Sequence, residues 1–161
     1  MRVSIIAVFG IILISEIGAS TDLTCIQKGQ DGSCEFYQCF EKRRQCGPSG
    51  YLTGFGHKYC NKFSLNYNKL TQTGKNVLDC VRPCLTKKLL GKYKESVGTG
   101  QKCEELKSYA FDTHVSCYRD CKFCSAYASN KLVLNSMFDS SDQMSLKAVK
   151  QMSELASSCP K

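Results

Sequence analysis

Twelve cysteines, at positions 25, 34, 39, 46, 60, 80, 84, 103, 117, 121, 124 and 159, constrain this 161-residue chain more than any other feature. An even and high count points to disulfides, and so to an oxidising compartment. At this length a single domain is expected. A hydrophobic content of 42% argues against intrinsic disorder, and three prolines exclude a collagen-like or proline-rich chain.

The N-terminus agrees with export. Arg2 precedes the apolar run Val3 to Ile14, and the small residues Gly18, Ala19 and Ser20 follow. This is the layout of a cleaved signal peptide over residues 1–20. Ser15-Glu16 ends the run well before the ~20 apolar residues that a membrane span needs. The expected mature domain, 21–161, contains all 12 cysteines, and no later segment is apolar enough to span a bilayer. A secreted, extracellular protein is therefore expected.

Helical periodicity dominates the rest. Ser33 is placed to cap a helix running from Cys34 to Cys46, with Phe36, Tyr37 and Phe40 on one face and Lys42, Arg43 and Arg44 at its end. Gly47 to Gly50 is a turn, and Tyr51 to Tyr67 a second helix weakened by Gly54 and Gly56. From Thr73, the positions Val77, Cys80, Val81, Cys84, Leu85 and Leu89 follow helical spacing. Pro83 is expected to kink this helix and Gly91 to cap it, with residues 97–100 as a loop. One long helix is expected from Cys103, its stripe passing through Leu106, Cys117, Cys121, Cys124 and Ala128. A last helix begins at the capping-box-like Ser140-Ser141-Asp142-Gln143 and buries Met144, Val149, Met152 and Leu155. No run alternates with period two. The expected fold is all-α: one disulfide-rich domain of about five helices and six intrachain disulfides.

The inventory for catalysis is nearly empty. The two histidines, His57 and His114, have neither a nucleophile nor a second metal ligand at useful spacing. Cys121-Lys-Phe-Cys124 has redox or zinc spacing, but lacks both a matching ligand pair and a βαβ context. Glu104 and Glu105 are adjacent, so they do not share a helix face. No calcium loop, phosphate loop or dinucleotide fingerprint occurs. No enzyme, metal or other cofactor is expected. The excess of 22 basic over 14 acidic residues gives a net charge of +8. Arg43, Arg44, Lys87 and Lys88 are the candidate partner-binding residues, suited to an acidic protein surface or an anionic glycan. A secreted chain is not expected to meet nucleic acid. Cys80-Val-Arg-Pro-Cys84 echoes Cys117-Tyr-Arg-Asp-Cys121: each places two cysteines one turn apart, so two such helices side by side would share two disulfides.

With Cys84 and Cys121 set aside, the order and several intervals of the other ten cysteines resemble the stanniocalcin family of secreted glycoprotein hormones. The intervals that match are eight residues between Cys25 and Cys34, four to Cys39, thirteen between Cys103 and Cys117, six to Cys124 and thirty-four to Cys159. Local sequence agrees in Cys34-Glu-Phe-Tyr-Gln-Cys39-Phe-Glu41, in Tyr59-Cys60-Asn-Lys-Phe63 and in Gly74-Lys75-Asn-Val77-Leu78-Asp-Cys80.

The resemblance implies the pairs Cys25–Cys39, Cys34–Cys60, Cys46–Cys103, Cys80–Cys117 and Cys124–Cys159, leaving Cys84 for Cys121. Equal offsets of that kind suit crossing or parallel helices. Antiparallel helices would pair Cys80 with Cys121 and Cys84 with Cys117, and the residues alone leave the choice open. The family's sequon after the third cysteine is replaced by Lys42-Arg43-Arg44-Gln45, and its C-terminal extension with a linking cysteine has no counterpart, so a covalent dimer is not expected. The resemblance implies hormone-like or paracrine action, in calcium and phosphate handling, through a cell-surface receptor or a secreted target protein. Two other readings compete: a secreted venom or defence protein acting on channels or membranes, and a secreted protease inhibitor.

Overall fold

A computed structural model describes residues 22–95 and 102–159. The expected signal peptide (1–20) and the loop at 97–100 lie outside those residues. Among the described residues there are seven α-helices and no strand. They are α1 (22–30), α2 (Glu35–Arg44), α3 (Lys58–Leu65), α4 (Gln72–Glu95), α5 (Cys103–Asp120), α6 (Cys124–Ser136) and α7 (Gln143–Ser157). A π-helical turn (Tyr51–His57) leads into α3, and a short 3-10 turn (Tyr67–Lys69) follows it.

The all-α class stands, and the count of about five helices is corrected. Helix α1 was not expected: Cys25 is its one buried large side chain, too little to produce a periodic signal. The long helix from Cys103 is two helices. Lys122 takes φ 58°, a left-handed turn that resets the register, so Ala128 of the expected stripe is exposed. Conversely, α4 does not stop at Gly91 but runs to Glu95, and it continues through Pro83. Proline forfeits one backbone bond there. Disulfides one residue beyond it and three before it anchor both sides. Helix α7 is capped by Asp142, within the expected Ser140 to Gln143 start. Its carboxylate accepts from the Met144 N–H at 2.9 Å and the Ser145 N–H at 3.2 Å.

The main core lies where α2, the π-helical turn, α4 and α5 meet. Phe36, Phe40, Leu52, Phe55, Leu89 and Phe111 are almost wholly buried there. Gly56 lets the turn close on α2, since a Cβ at this position would stand 2.5 Å from the Tyr37 ring. Two smaller apolar clusters complete the interior. One gathers Leu70, Leu78 and Met137, the other Phe123, Met152 and Leu155.

The structure pairs Cys25–Cys39, Cys34–Cys60, Cys46–Cys103 and Cys124–Cys159. It corrects the remaining two. The expected Cys80–Cys117 and Cys84–Cys121 pairs are replaced by Cys80–Cys121 and Cys84–Cys117, with Cα separations of 5.6 and 5.8 Å. The reason is direction. Helices α4 and α5 are antiparallel, so one turn forward on α4 is one turn back on α5. Tyr109, earlier on α5, accordingly donates to the carbonyl of Lys88, later on α4.

Candidate functional site

The four candidate contact residues lie on two helices: Arg43 and Arg44 in the last turn of α2, and Lys87 and Lys88 about two turns inside the C-terminal end of α4. Arg43 ends α2. Its guanidinium lies 4.7 Å from the Tyr93 ring centre and bonds the Asp22 carboxylate at 2.8 Å. Tyr93 also donates to Asp22, which ties α1, α2 and α4 together. Arg44 donates to the carbonyl of Lys102 at 3.3 Å, beside the Cys46–Cys103 bridge. Lys87 and Lys88 lie on α4 one to two turns before Tyr93, about 9 Å along the axis. Lys87 is exposed and Lys88 half-buried.

The four therefore do not have one job. Arg43 and Arg44 fasten helices to one another, while Lys87 offers its charge to solvent. Lys92, further along α4, is paired with Glu95 and lies 5.3 Å from the Tyr109 ring. Tyr93 and Lys102 were missed by sequence reasoning. They stand more than fifty residues from Arg44 or carry an aromatic body that reads as core.

Among the described residues neither histidine belongs to a group of three or more potential metal ligands. His57 shares a hydrogen bond with Asn61 at 2.9 Å. His114 is buried between Phe55 and Phe111, with Nε2 2.9 Å from the Tyr51 hydroxyl, while its buried Nδ1 has no hydrogen-bond partner. Burial holds its pKa down to about 4, aided by the positive charge of Lys147, so the ring is neutral at physiological pH. The Tyr51 hydroxyl is pushed well above its ordinary range, also by burial. All twelve cysteines are bridged, so the Cys121/Cys124 spacing carries no redox pair: each sulfur belongs to a different bridge.

A second feature lies inside. A cavity of about 80 Å³ separates the three apolar clusters, bounded by α3, α4, α5, α6 and α7. Phe55, Leu78, Val81, Phe123, Ala126 and Met152 form much of its wall. Helical periodicity places Val81 and Met152 of these residues inward, but it gives no sign that the side chains around them stop short of one another.

A model of the stanniocalcin family matches residues 14–160. The chain belongs to the stanniocalcin family. Stanniocalcins are secreted hormones, which places a hormone-like role above a catalytic one. No curated protein and no solved structure matches the chain. Among the described residues no helix is long and apolar enough to cross a membrane. In this stanniocalcin-family chain the Cys46–Cys103 bridge ties the segment after α2 to the start of α5, beside Arg44.

Proposed function

We propose that this protein is a secreted, hormone-like signal that acts by binding a cell-surface receptor or an extracellular target protein. In this reading residues 1–20 are removed on export, and the oxidised domain presents Lys87 and Lys88 as contact residues, with Arg43 and Arg44 as their support. The observation that carries it is the family match over residues 14–160. The six internal bridges support it too, because a rigid surface loses little conformational freedom on binding. Regulation of calcium or phosphate transport is the physiological output expected of such a signal.

The test is capture of partners from cell surfaces and conditioned medium with the folded, oxidised protein. Lys87→Glu/Lys88→Glu, which leaves the Arg43 and Arg44 contacts in place, should weaken capture. Added salt should weaken it as well, since exposed charges are screened beyond about 8 Å at physiological ionic strength. Capture that survives both the double variant and high salt would remove Lys87 and Lys88 from the interface. Retention on a sulfated glycan column by the wild type, lost in the same variant, would assign the surface to anionic glycans instead.

A further inference from the structure

The six bridges differ in what surrounds them. Of the twelve cysteines only Cys80 and Cys124 are exposed. Cys80 is bonded to the buried Cys121, and the Cys84–Cys117 bridge one turn away backs it. Cys124 is bonded to the half-buried Cys159, and this bridge alone holds the end of α7 covalently. An open groove of about 270 Å³ leads to Cys124, with Arg119, Lys122, Phe123, Leu155 and Ser158 on its sides. Arg119 and Lys122 are exposed, and among the described residues neither forms an ion pair. No carboxylate lines the groove; Asp120, between the two cations in sequence, is not part of its wall. The bridge most open to solvent is therefore also the one with unpaired positive charge beside it. Access and charge are what govern attack on a disulfide, because the attacking species is an anionic thiolate.

We propose that Cys124–Cys159 is a thiol–disulfide exchange site, opened by an external dithiol that enters along this groove and attacks Cys124. The incoming thiolate bonds to Cys124 Sγ. The S–S bond breaks, and its electron pair leaves on Cys159, which takes a proton from water. The second thiol of the reductant then gives up its proton and attacks the reductant's own sulfur in the mixed disulfide. Cys124 leaves as a thiolate, a charge that Arg119 and Lys122 favour, and is protonated in turn. The bridge gains two electrons and two protons, and the dithiol becomes a disulfide. The effect on the fold is local. Asp142 still ties the start of α7 to Lys58 and Tyr59, and Ala148 stays in the main core. The last turns of α7 lose their covalent anchor, and with it the closure of Met152 and Leu155 over Phe123. The inference does not depend on the receptor reading, since Lys87 and Lys88 take no part in it.

The test exposes the full oxidised, native protein to limiting dithiothreitol. Thiols are trapped with iodoacetamide and assigned by peptide mass spectrometry. Cys124 and Cys159 should be alkylated before any other cysteine, Cys80 included. With glutathione as a single-thiol probe, the adduct should form on Cys124 and the free thiol appear at Cys159. Arg119→Gln/Lys122→Asn keeps a residue that accepts the left-handed backbone at position 122. It should slow glutathione, whose thiolate form is a net anion, by about tenfold, roughly threefold for each charge acting through water at contact range. Cysteamine, whose thiolate form is net neutral, should be unaffected. Cys124→Ser/Cys159→Ser stands for the opened state. It should keep its helical circular dichroism and lose amide protection only over the last turns of α7. Another bridge opening first, all six opening in one step, or a glutathione adduct on any cysteine but Cys124 would overturn the inference. So would equal rates for the two monothiols in wild type and charge variant, or loss of protection throughout the serine variant.

Discussion

Removing Cys84–Cys117 while keeping Cys80–Cys121 should destabilise the protein by less than its loop length suggests. Taken alone, each bridge closes a long loop, with sequence separations of 33 and 41. Loop-closure entropy gives roughly 3.7 and 3.9 kcal/mol for such loops. The bridges are nested, however, and each pair of cysteines on a helix is four residues apart. Once Cys80–Cys121 has formed, closing Cys84–Cys117 constrains only the short ring between them, worth roughly 2.5 kcal/mol. Cys84→Ala/Cys117→Ala should therefore lower the melting temperature by about 10 °C and leave no free thiol, as counted by maleimide labelling in denaturant. Cys84→Ala/Cys121→Ala removes one sulfur from each bridge. It strands Cys80 and Cys117 on different turns and should label at two thiols. The reverse thiol counts in the two variants would refute the antiparallel pairing. A loss near 4 kcal/mol for the first variant would refute the nesting argument.

Gly74 faces Asn130, and a Cβ there would stand 2.6 Å from the amide oxygen. Gly74→Ala should cost about 2 kcal/mol in urea unfolding although alanine favours helix, because Asn130 holds buried bonds to Thr71 and Ala126. Asp142 should matter more at neutral pH than in acid. Burial acts to raise its pKa, but the Lys58 ammonium and the Met144 and Ser145 N–H groups outweigh it, and the net shift is downward. The depressed carboxyl stabilises the fold above its unfolded pKa and loses that effect as pH falls through the folded value. Asp142→Ala should be less stable by about 1–2 kcal/mol at neutral pH, with the gap to wild type closing in acid. His114 carries the opposite charge type. Its folded pKa is about 4 against an ordinary value of 6.5, so the unfolded chain takes up the proton first. Stability should fall by up to about 3 kcal/mol as pH drops from 6.5 to 4, and His114→Gln should flatten that slope in pH-dependent unfolding.

What could be read without coordinates follows from what periodicity measures. It reports the inward face of a helix that has a strong stripe, and so Phe36, Tyr37 and Phe40 of α2 and Met152 and Leu155 of α7 were assigned to buried positions that they occupy. It does not report helix direction, which is why two cysteine pairs were crossed. It also follows a stripe across a break that carries no glycine or proline: Cys117, Cys121 and Cys124 read as one face although Lys122 turns between them. Of the candidate contact residues, Lys87 and Lys88 stand about two turns inside α4, which runs on past Gly91 to Glu95, whereas the position of Arg43 and Arg44 in the last turn of α2 was legible, because positive charge gathers there. Their engagement was not, since Asp22 and Tyr93 reach Arg43 from other helices.

The bridges and the cavity are best understood together. Val81 and Arg82 lie between Cys80 and Cys84, Tyr118 follows Cys117, and Phe123 lies between Cys121 and Cys124; all four line the cavity. A void of 80 Å³ costs about 2 kcal/mol if it stays empty, at roughly 24 cal/mol per Å³. That is close to the contribution of the second bridge of the α4–α5 ladder, so covalent links compensate where packing is incomplete. The bridges also act on geometry, because an unlinked α4 and α5 could slide until the walls met. Opening both bridges removes the restraint that keeps the walls apart, and the chain then gains contact by collapse while it loses the constraint on its unfolded state. Stability and the cavity should therefore respond differently to the two single-bridge variants. Either bridge alone limits sliding of the two helices, so the cavity should persist in each variant, detectable as xenon-induced shifts at Val81 and Ala126. It should disappear only when both bridges are absent. Loss of those shifts on removal of one bridge would mean that packing around Phe123 and Met152, rather than the covalent ladder, sets the position of the walls.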